Sequence, residues 1–140
     1  MISLQEFLTP AVTCRPEATL AQAAIDMDRH NVGSILVLDA DGTIAGIATD
    51  RDIALRGTGR ELPPITRITE VMTPEVVMLR WDADLFDAAS MMAASECRRL
   101  PVVDESGVLK GIVTLDDLMV LFAHQTDSLA SAVAAEMSSH

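Results

Sequence analysis

Gly46-Ile47-Ala48-Thr49-Asp50-Arg51-Asp52 and Gly111-Ile112-Val113-Thr114-Leu115-Asp116-Asp117 carry the same pattern, Gly-Ile-x-Thr-x-x-Asp, 65 residues apart. Working outward from these two stretches, a shift of 65 lays residues 12–55 on 77–120 without a gap. Identical pairs include Val12/Val77, Arg15/Arg80, Leu20/Leu85, Ala23/Ala88, Ala24/Ala89, Met27/Met92, Val37/Val102, Asp39/Asp104 and Gly42/Gly107. Upstream, Thr9-Pro10 and Thr73-Pro74 match at a shift of 64, so the second copy carries one extra residue. Identity spread in this way across turn and core positions marks two copies of one supersecondary unit.

Each copy parses alike. A short strand is expected at Val12-Thr13-Cys14 and at Val76-Val77-Met78. A helix follows, opened by a Thr19/Gln22 capping box or by Asp84, with Leu20, Ala23, Ala24 and Met27, or Leu85, Ala88, Ala89 and Met92, at helical spacing. The paired alanines are expected to let that helix approach a sheet. Then come an apolar strand (Ile35 to Leu38, Leu100 to Val103), a turn closed by Gly42 or Gly107, and a returning strand (Thr43 to Ala48, Val108 to Val113). A second helix opens at Asp50 or Leu115 after a capping Thr. Short helices at Ser3 to Leu8 and Ile65 to Met72 lead into the copies.

The chain is therefore read as α/β (α+β): two tandem β-α-β-β-α repeats that share a core about a pseudo-twofold axis, since either alone has little apolar surface to bury. Repeat one is placed at 7–56, a Gly- and Pro-bearing linker at 57–64, repeat two at 65–122 and a helical tail at 123–140. In the tail, Phe122, Leu129, Val133 and Met137 fall near helical spacing.

The Thr-x-x-Asp endings admit two readings. One is a capping box, which needs no ligand. The other uses the same strand-to-helix turn as a binding site. Free backbone N–H groups and the helix dipole favour an anion there, and a carboxylate one turn into the helix suits a pair of vicinal hydroxyls such as those of a ribose.

Composition removes other classes. Ten Lys plus Arg stand against 21 Asp plus Glu, a formal charge of −11, with Lys110 the sole lysine. No basic stripe exists to displace counterions from nucleic acid or to adhere to anionic membrane. The start lacks a leader's basic and apolar regions, and the longest apolar run, Leu118 to Ala123, is far short of a span. Cys14 and Cys97 stand apart from each other and from His30, His124 and His140, so neither a zinc site nor a disulfide framework is expected. They are read as reduced thiols of a cytoplasmic protein. Trp81 is read as half-buried packing. No nucleophile-base pair, Gly-rich phosphate loop or carboxylate dyad is present, so an enzyme is not expected.

The duplication, the Gly-Ile-x-Thr-x-x-Asp endings and Arg98-Arg99-Leu100-Pro101-Val102-Val103-Asp104 resemble the CBS domain family, whose tandem pairs (Bateman modules) share this order of elements. The likeness covers about residues 7–122, and Gly46 to Ile53 is most similar to small bacterial CBS-pair proteins. It implies a regulatory module for an adenosine-containing ligand: AMP, ADP, ATP, S-adenosylmethionine or NAD. By this resemblance Asp52 and Asp117 hold ribose hydroxyls, and Thr49 and Thr114 lie beside ribose or phosphate. Ile47 and Ile112 form apolar floor. The first strand of the opposite repeat supplies main-chain groups, so Thr13 and Cys14 face the Asp117 cleft and Val77 and Met78 the Asp52 cleft.

The copies differ where phosphate is expected to lie. Copy two has Arg98-Arg99; copy one has Gly33-Ser34 there. Arg51 is a further phosphate candidate, or the partner in an intrahelical salt bridge. The Asp117 cleft is thus the better nucleotide site, and the acidic chain favours AMP or ADP over ATP. The resemblance further implies a homodimer and an unidentified effector protein. The competing reading is a ligand-free dimerisation or scaffold module in which both Thr-x-x-Asp motifs only cap helices.

Overall fold

The computed structural model describes residues 4–139. Two three-stranded sheets form, each from one copy. In the first, β1 (Thr13–Cys14) pairs parallel with β2 (Ser34–Leu38), which pairs antiparallel with β3 (Ile44–Thr49). In the second, β4 (Leu79–Arg80), β5 (Arg99–Val103) and β6 (Leu109–Thr114) repeat the order. Cys14 aligns with Val37 and Leu79 with Val102, the same pair shifted by 65. The helices are α1 (Leu20–His30), α2 (Asp50–Asp52), α3 (Leu85–Ser95) and α4 (Leu115–Ser138).

Local signals act as expected at α1 and α3. Thr19 and Gln22 close a reciprocal capping box, as do Asp84 and Asp87. Gly42 and Gly107 close the hairpin turns at φ 86° and 84°, a region open to glycine at little cost. The paired alanines divide their labour. Ala23 and Ala88 are fully buried against the sheets, whereas Ala24 and Ala89 face outward. Consecutive helical residues point about 100° apart, so one of each pair leaves the packed face.

Three expectations are corrected. The first strand of copy two is Leu79–Arg80, and Val76 to Met78 belong to the extended approach to it. The extra upstream residue makes Leu79 the counterpart of Cys14, and it is Leu79 that enters the core, 2% exposed. The helix expected over Ile65 to Met72 is a single 3-10 turn at Ile68–Glu70. The one expected over Ser3 to Leu8 is a 3-10 turn at Leu4–Phe7, with Ser3 outside the described residues. Both segments stay open because they have to span from one repeat to the other.

That crossing organises the core. Leu4 packs among Leu79, Leu85, Leu100, Val113, Leu118 and Leu121 of copy two. Ile68 and Val71, from the approach to copy two, are fully buried among Leu20, Met27, Ile35 and Val37 of copy one. Burying a side chain of this size stabilises by about 1.5–3 kcal/mol. Each core thus contains a segment that the sequence assigns to the other repeat. The hydrogen bonds are reciprocal as well: Thr9 bridges Ile112, and Thr73 bridges Ile47. Thr43 and Val108, equivalent residues of the two copies, bridge each other, as residues astride a pseudo-twofold axis must.

The glycines of the motif exist for this crossing. A Cβ on Gly111 would stand 2.9 Å from both Leu8 Cβ and Thr9 O; one on Gly46 would stand 2.9 Å from Thr73 O. The crossing backbone comes too close to admit any side chain at either position.

The second helices are unequal. α4 runs 24 residues, taking in the expected helical tail, and His140 lies outside the described residues. In copy one, α2 gives way after Asp52 to a π-helix (Ile53–Gly57) and a 3-10 turn (Thr58–Arg60). Gly57, Gly59 and Pro63-Pro64 interrupt copy one, while copy two from Val108 onward has neither Pro nor, after Gly111, any Gly. The linker is ordered against copy one, where Leu20 N–H donates to Thr66 O and Ala21 N–H to Pro64 O. Among the described residues no helix is long and apolar enough to cross a membrane.

Candidate functional site

Thr114 ends β6 in an extended conformation (φ −110°, ψ 161°) and caps α4. Asp117 N–H donates to Thr114 Oγ1 at 3.1 Å, and Thr114 N–H donates to Asp117 Oδ2 at 3.0 Å. Thr49 and Asp52 form the same box at the same distances. The capping reading is therefore realised in both copies, and it commits one carboxylate oxygen of each acid. A carboxylate offers about four lone-pair sites, so the outer oxygen retains capacity for other donors.

The outer oxygens differ. Asp52 Oδ1 faces Arg56 Nε at 3.8 Å. This is the intrahelical ion pair of copy one; Arg51, for which such a pair was one of two expectations, is exposed, and its backbone N–H donates to Asp50 Oδ1. At the place of Arg56, copy two has the buried Leu121, so Asp117 faces no cation of its own helix. The helix behind Thr114 is also regular α-helix from its first turn, whereas the one behind Thr49 passes into a π-helix after Asp52.

Two neighbouring cavities converge on Thr114. One, of about 170 Å3, lies between the repeats. Thr9, Pro10, Ala11 and Val12 form one wall, and Arg99, Pro101, Ile112 and Thr114 of copy two the opposite one. Val32, Ser34, Leu36 and Ile47 complete it from copy one. The other, of about 230 Å3, is lined by Arg98, Arg99, Thr114, Leu115 and Asp116. Arg99 and Thr114 belong to both. Arg98 and Arg99 are exposed, and among the described residues neither makes an ion pair. Two guanidinium groups thus stand beside a helix N-terminus in an otherwise acidic chain.

Of the residues singled out from sequence, the structure brings Arg98, Arg99, Ile112, Thr114 and Ile47 to these cavities, with Asp117 bonded to Thr114. Asp117 itself, and Thr13, Cys14, Thr49, Arg51, Asp52, Val77 and Met78, line neither. The segment just before β1, residues 9–12, occupies the place opposite Thr114 that Thr13 and Cys14 were expected to take. The duplicated Thr-Pro dipeptide marks that segment in the sequence, and it is the crossing that carries it into the cleft. Ser34 and Pro101 had no signal of their own.

Cys14 packs against the copy-one core. Burial, reinforced by the nearby Asp26 carboxylate, pushes its thiol up to about 11 from 9.0. The thiol is thus neutral at physiological pH, poor as nucleophile or metal ligand. Alkylation of Cys14 at pH 8 is expected to run about 100-fold slower than the ordinary thiol, in proportion to thiolate fraction. Because the folded value is raised, this group's contribution to stability is full below about pH 9 and is lost as pH rises toward 11. Mass-spectrometric labelling across pH 7–11 reads both. Among the described residues no cluster of His, Cys, Asp and Glu is arranged to hold a metal ion.

A larger cavity, about 570 Å3, opens on copy one between Ala24, Met27, Asn31, Asp50 and Ala54. Size alone does not make it the site: Gly33 and Asp50 stand there where copy two has Arg98 and Leu115, so it has no cation, and Asp28 and Asp50 repel an anion.

Comparison with known proteins agrees with this architecture. The CBS domain model matches residues 4–57 and 68–137. The CBS domain-containing protein YhcV of Bacillus subtilis (strain 168) is 42% identical over 121 residues, 86% of this chain and 85% of that protein. The crystal structure of CBSX2 in complex with AMP superposes with a TM-score of 0.74 at 26% identity, covering 91% of this chain and 99% of that one. The CBS domain pair of protein MJ0100, in complex with 5-methylthioadenosine and S-adenosyl-L-methionine, gives 0.71 at 28% identity, covering 86% and 99%. Duplicated sheets, crossed approach segments and paired Thr-x-x-Asp caps thus have one explanation: the chain belongs to the CBS domain family and carries its domains as a tandem pair.

Proposed function

We propose that this CBS pair is a regulatory sensor that binds an adenine nucleotide, AMP or ADP, in the cleft between the repeats. The observation that carries this reading is the meeting at Arg99 and Thr114 of two cavities, one between the repeats and one beside it lined by Arg98, with Asp117 bonded to Thr114 one helical turn behind. Asp117 holds the ribose hydroxyls with its outer oxygen, Thr114 adds a hydroxyl at ribose or phosphate, and the arginines take the phosphate. Ile112 and Ile47 supply apolar floor, and residues 9–12 the main-chain edge for the base. Neighbours solved with AMP and with S-adenosyl-L-methionine support the ligand class. The Asp52 cleft, with Ile47, Thr49, Arg51, Val77 and Met78, lacks the arginine pair and is the weaker nucleotide site.

The acidic chain does not forbid the anion. Exposed charges beyond about 8 Å are largely screened at physiological salt. A guanidinium 4 Å from phosphate gains about 4 kcal/mol of Coulomb energy at an effective dielectric near 20, before desolvation. Added phosphates extend toward Asp116, which ranks AMP and ADP above ATP. Binding that favours one relative pose of the repeats shifts the population toward it, and an effector protein reads the pose. The setting is the cytoplasm, which supplies the nucleotide and keeps Cys14 and Cys97 reduced.

Calorimetry and thermal shift with AMP, ADP, ATP, S-adenosylmethionine and NAD test the reading. AMP or ADP is expected to bind most tightly, and the double variant Arg98→Ala/Arg99→Ala to lose AMP at least about 100-fold while retaining adenosine, because charge-assisted bonds contribute about 1.5–3 kcal/mol each. Equal binding of AMP by the double variant would remove the arginines from the site.

One observation favours the scaffold reading: Thr49/Asp52 and Thr114/Asp117 both serve as reciprocal capping boxes, a structural use that needs nothing further. On that reading no adenosine compound gives heat at millimolar concentration.

A homodimer belongs to either reading. Leu85, Phe86, Leu118, Met119 and Phe122 line an apolar groove of about 440 Å3 on the outer face of α3 and α4, with Phe86 68% and Phe122 53% exposed. Phe122→Asp is expected to give a monomer by sedimentation equilibrium at concentrations where the parent chain is a dimer, with its circular dichroism unchanged.

A further inference from the structure

We infer that Arg56 closes the copy-one cleft, so that the chain takes one nucleotide where its duplicated sequence advertises two. The inference rests on the reading that these carboxylates receive a ribose. Arg56 stands over Asp52 with Nε 3.8 Å from Oδ1, the carboxylate oxygen that the capping box leaves available. Its Nη1 donates to Val71 O at 3.3 Å. Val71 is fully buried, in the segment that crosses from copy two into the copy-one core. The guanidinium is thus hydrogen-bonded to the crossing segment and ion-paired with the carboxylate oxygen that a ribose would need, its side chain 44% exposed. Asp52 itself is only 18% exposed beneath it.

The cause is a register shift. The residue equivalent to Arg56 is Leu121, which α4 turns into the core at 2% exposure. In copy one the π-helical turn Ile53–Gly57 inserts the equivalent of one residue, and Gly57 occupies the buried position. Leu20 Cδ1 fills the space there, 3.0 Å from where a Cβ on Gly57 would lie. Position 56 is rotated outward as a result, toward Asp52. A π turn is rare in helices and concentrates at functional positions. Here it converts a core position into a plug. Gly33 and Ser34 replace the arginine pair at the same cleft, so no phosphate contact is available to help a nucleotide displace Arg56.

The test is calorimetry with adenosine and AMP on the full chain, Arg56→Leu, Arg56→Gln, and each of these combined with Asp52→Ala. The parent chain is expected to bind one equivalent. Arg56→Leu, which installs the copy-two residue, is expected to add a second adenosine event, and Asp52→Ala is expected to abolish that event. Arg56→Gln covers the case in which leucine disturbs folding, since glutamine retains a donor for Val71 O and lacks the charge. An unchanged stoichiometry in whichever Arg56 variant folds overturns the inference, as does a second event that survives Asp52→Ala. The nucleotide reading is scored separately, by whether the parent chain's AMP event disappears in Asp117→Ala. Loss of the one conclusion is therefore distinguishable from loss of the other.

Discussion

Asp117→Ala is expected to abolish AMP binding while leaving the chain folded. The substitution removes two things of different size. One is a helix-capping contact, Asp117 Oδ2 accepting from Thr114 N–H, typically worth about 1 kcal/mol. The other is the outer oxygen, which on the sensor reading accepts from two ribose hydroxyls. Hydrogen bonds to a charged group contribute about 1.5–3 kcal/mol each, so their joint loss amounts to a weakening of at least about 100-fold. In thermal shift, ligand at about 100 times its Kd stabilises the parent chain by about 2.7 kcal/mol. The variant is expected to melt slightly lower without ligand and to show no shift with it. Asp52→Ala, in the arginine-plugged cleft, is expected to lose a similar cap contribution and to keep the AMP shift. A capping role alone predicts that the two substitutions behave alike: a ligand shift preserved in Asp117→Ala would remove Asp117 from the site, and the absence of any shift in the parent chain would leave the scaffold reading standing.

Gly111→Val is expected to be the most destabilising single change in the molecule. A Cβ at Gly111 meets Leu8 Cβ and Thr9 O at 2.9 Å, and the second contact is backbone, which cannot swing aside. Either β6 or the crossing segment has to move. Moving the segment breaks the reciprocal hydrogen bonds between Thr9 and Ile112 and strains the packing of Leu4 and Leu8 against copy two. Overpacking typically costs about 1–3 kcal/mol, and the lost bonds place this change at the upper end, about 3 kcal/mol. For a chain of this length that lowers Tm by roughly 10 °C. Because Thr9 to Val12 wall the inter-repeat cavity, AMP affinity is expected to fall with it. Gly33→Ala is the control. Its Cβ would meet nothing nearer than Asp50 Oδ2 at 3.7 Å, so stability is expected to stay within about 0.5 kcal/mol. A Gly111→Val protein that melts with the parent chain would show that the crossing is dispensable.

Most of the fold was legible because duplication doubles each local signal. The Thr19/Gln22 box and Gly42 and Gly107 operate within a few residues and were read correctly; the Leu-Ala-Met stripes were too, except that Ala24 and Ala89 turn outward. The short first strand of copy two was misplaced because two-residue strands have almost no pattern of their own. Leu79 is distinguished from Val77 only by which of them meets the core. The approach segments were misread as helices for a related reason: apolar residues such as Ile68 and Val71 recur at nearly helical spacing, yet they are spaced to reach a neighbour's core.

At the candidate site, Thr114, Asp117, Arg98 and Arg99 were legible as residue types in a repeated frame. Their meeting with Thr9 to Val12 was not, since it depends on a contact more than 100 residues apart in sequence. The asymmetry was only half legible. Gly33-Ser34 against Arg98-Arg99 is plain in the alignment of the two copies, but Arg56 against Leu121 looks like any surface substitution until the π turn is seen to rotate it onto Asp52.

By itself the sequence determined two copies, their order of strands and helices, the capped turns that end β3 and β6, and a cation pair in the second copy alone. All of these are written in short-range spacing, where backbone sterics and capping act. Tertiary structure alone decided that each repeat completes the other's core, that the motif glycines serve a close backbone crossing, and that one of two equivalent carboxylates is covered by its own helix. Those outcomes come from which surfaces bury each other, and burial is a property of the assembled pair, settled only when distant segments compete for the same space.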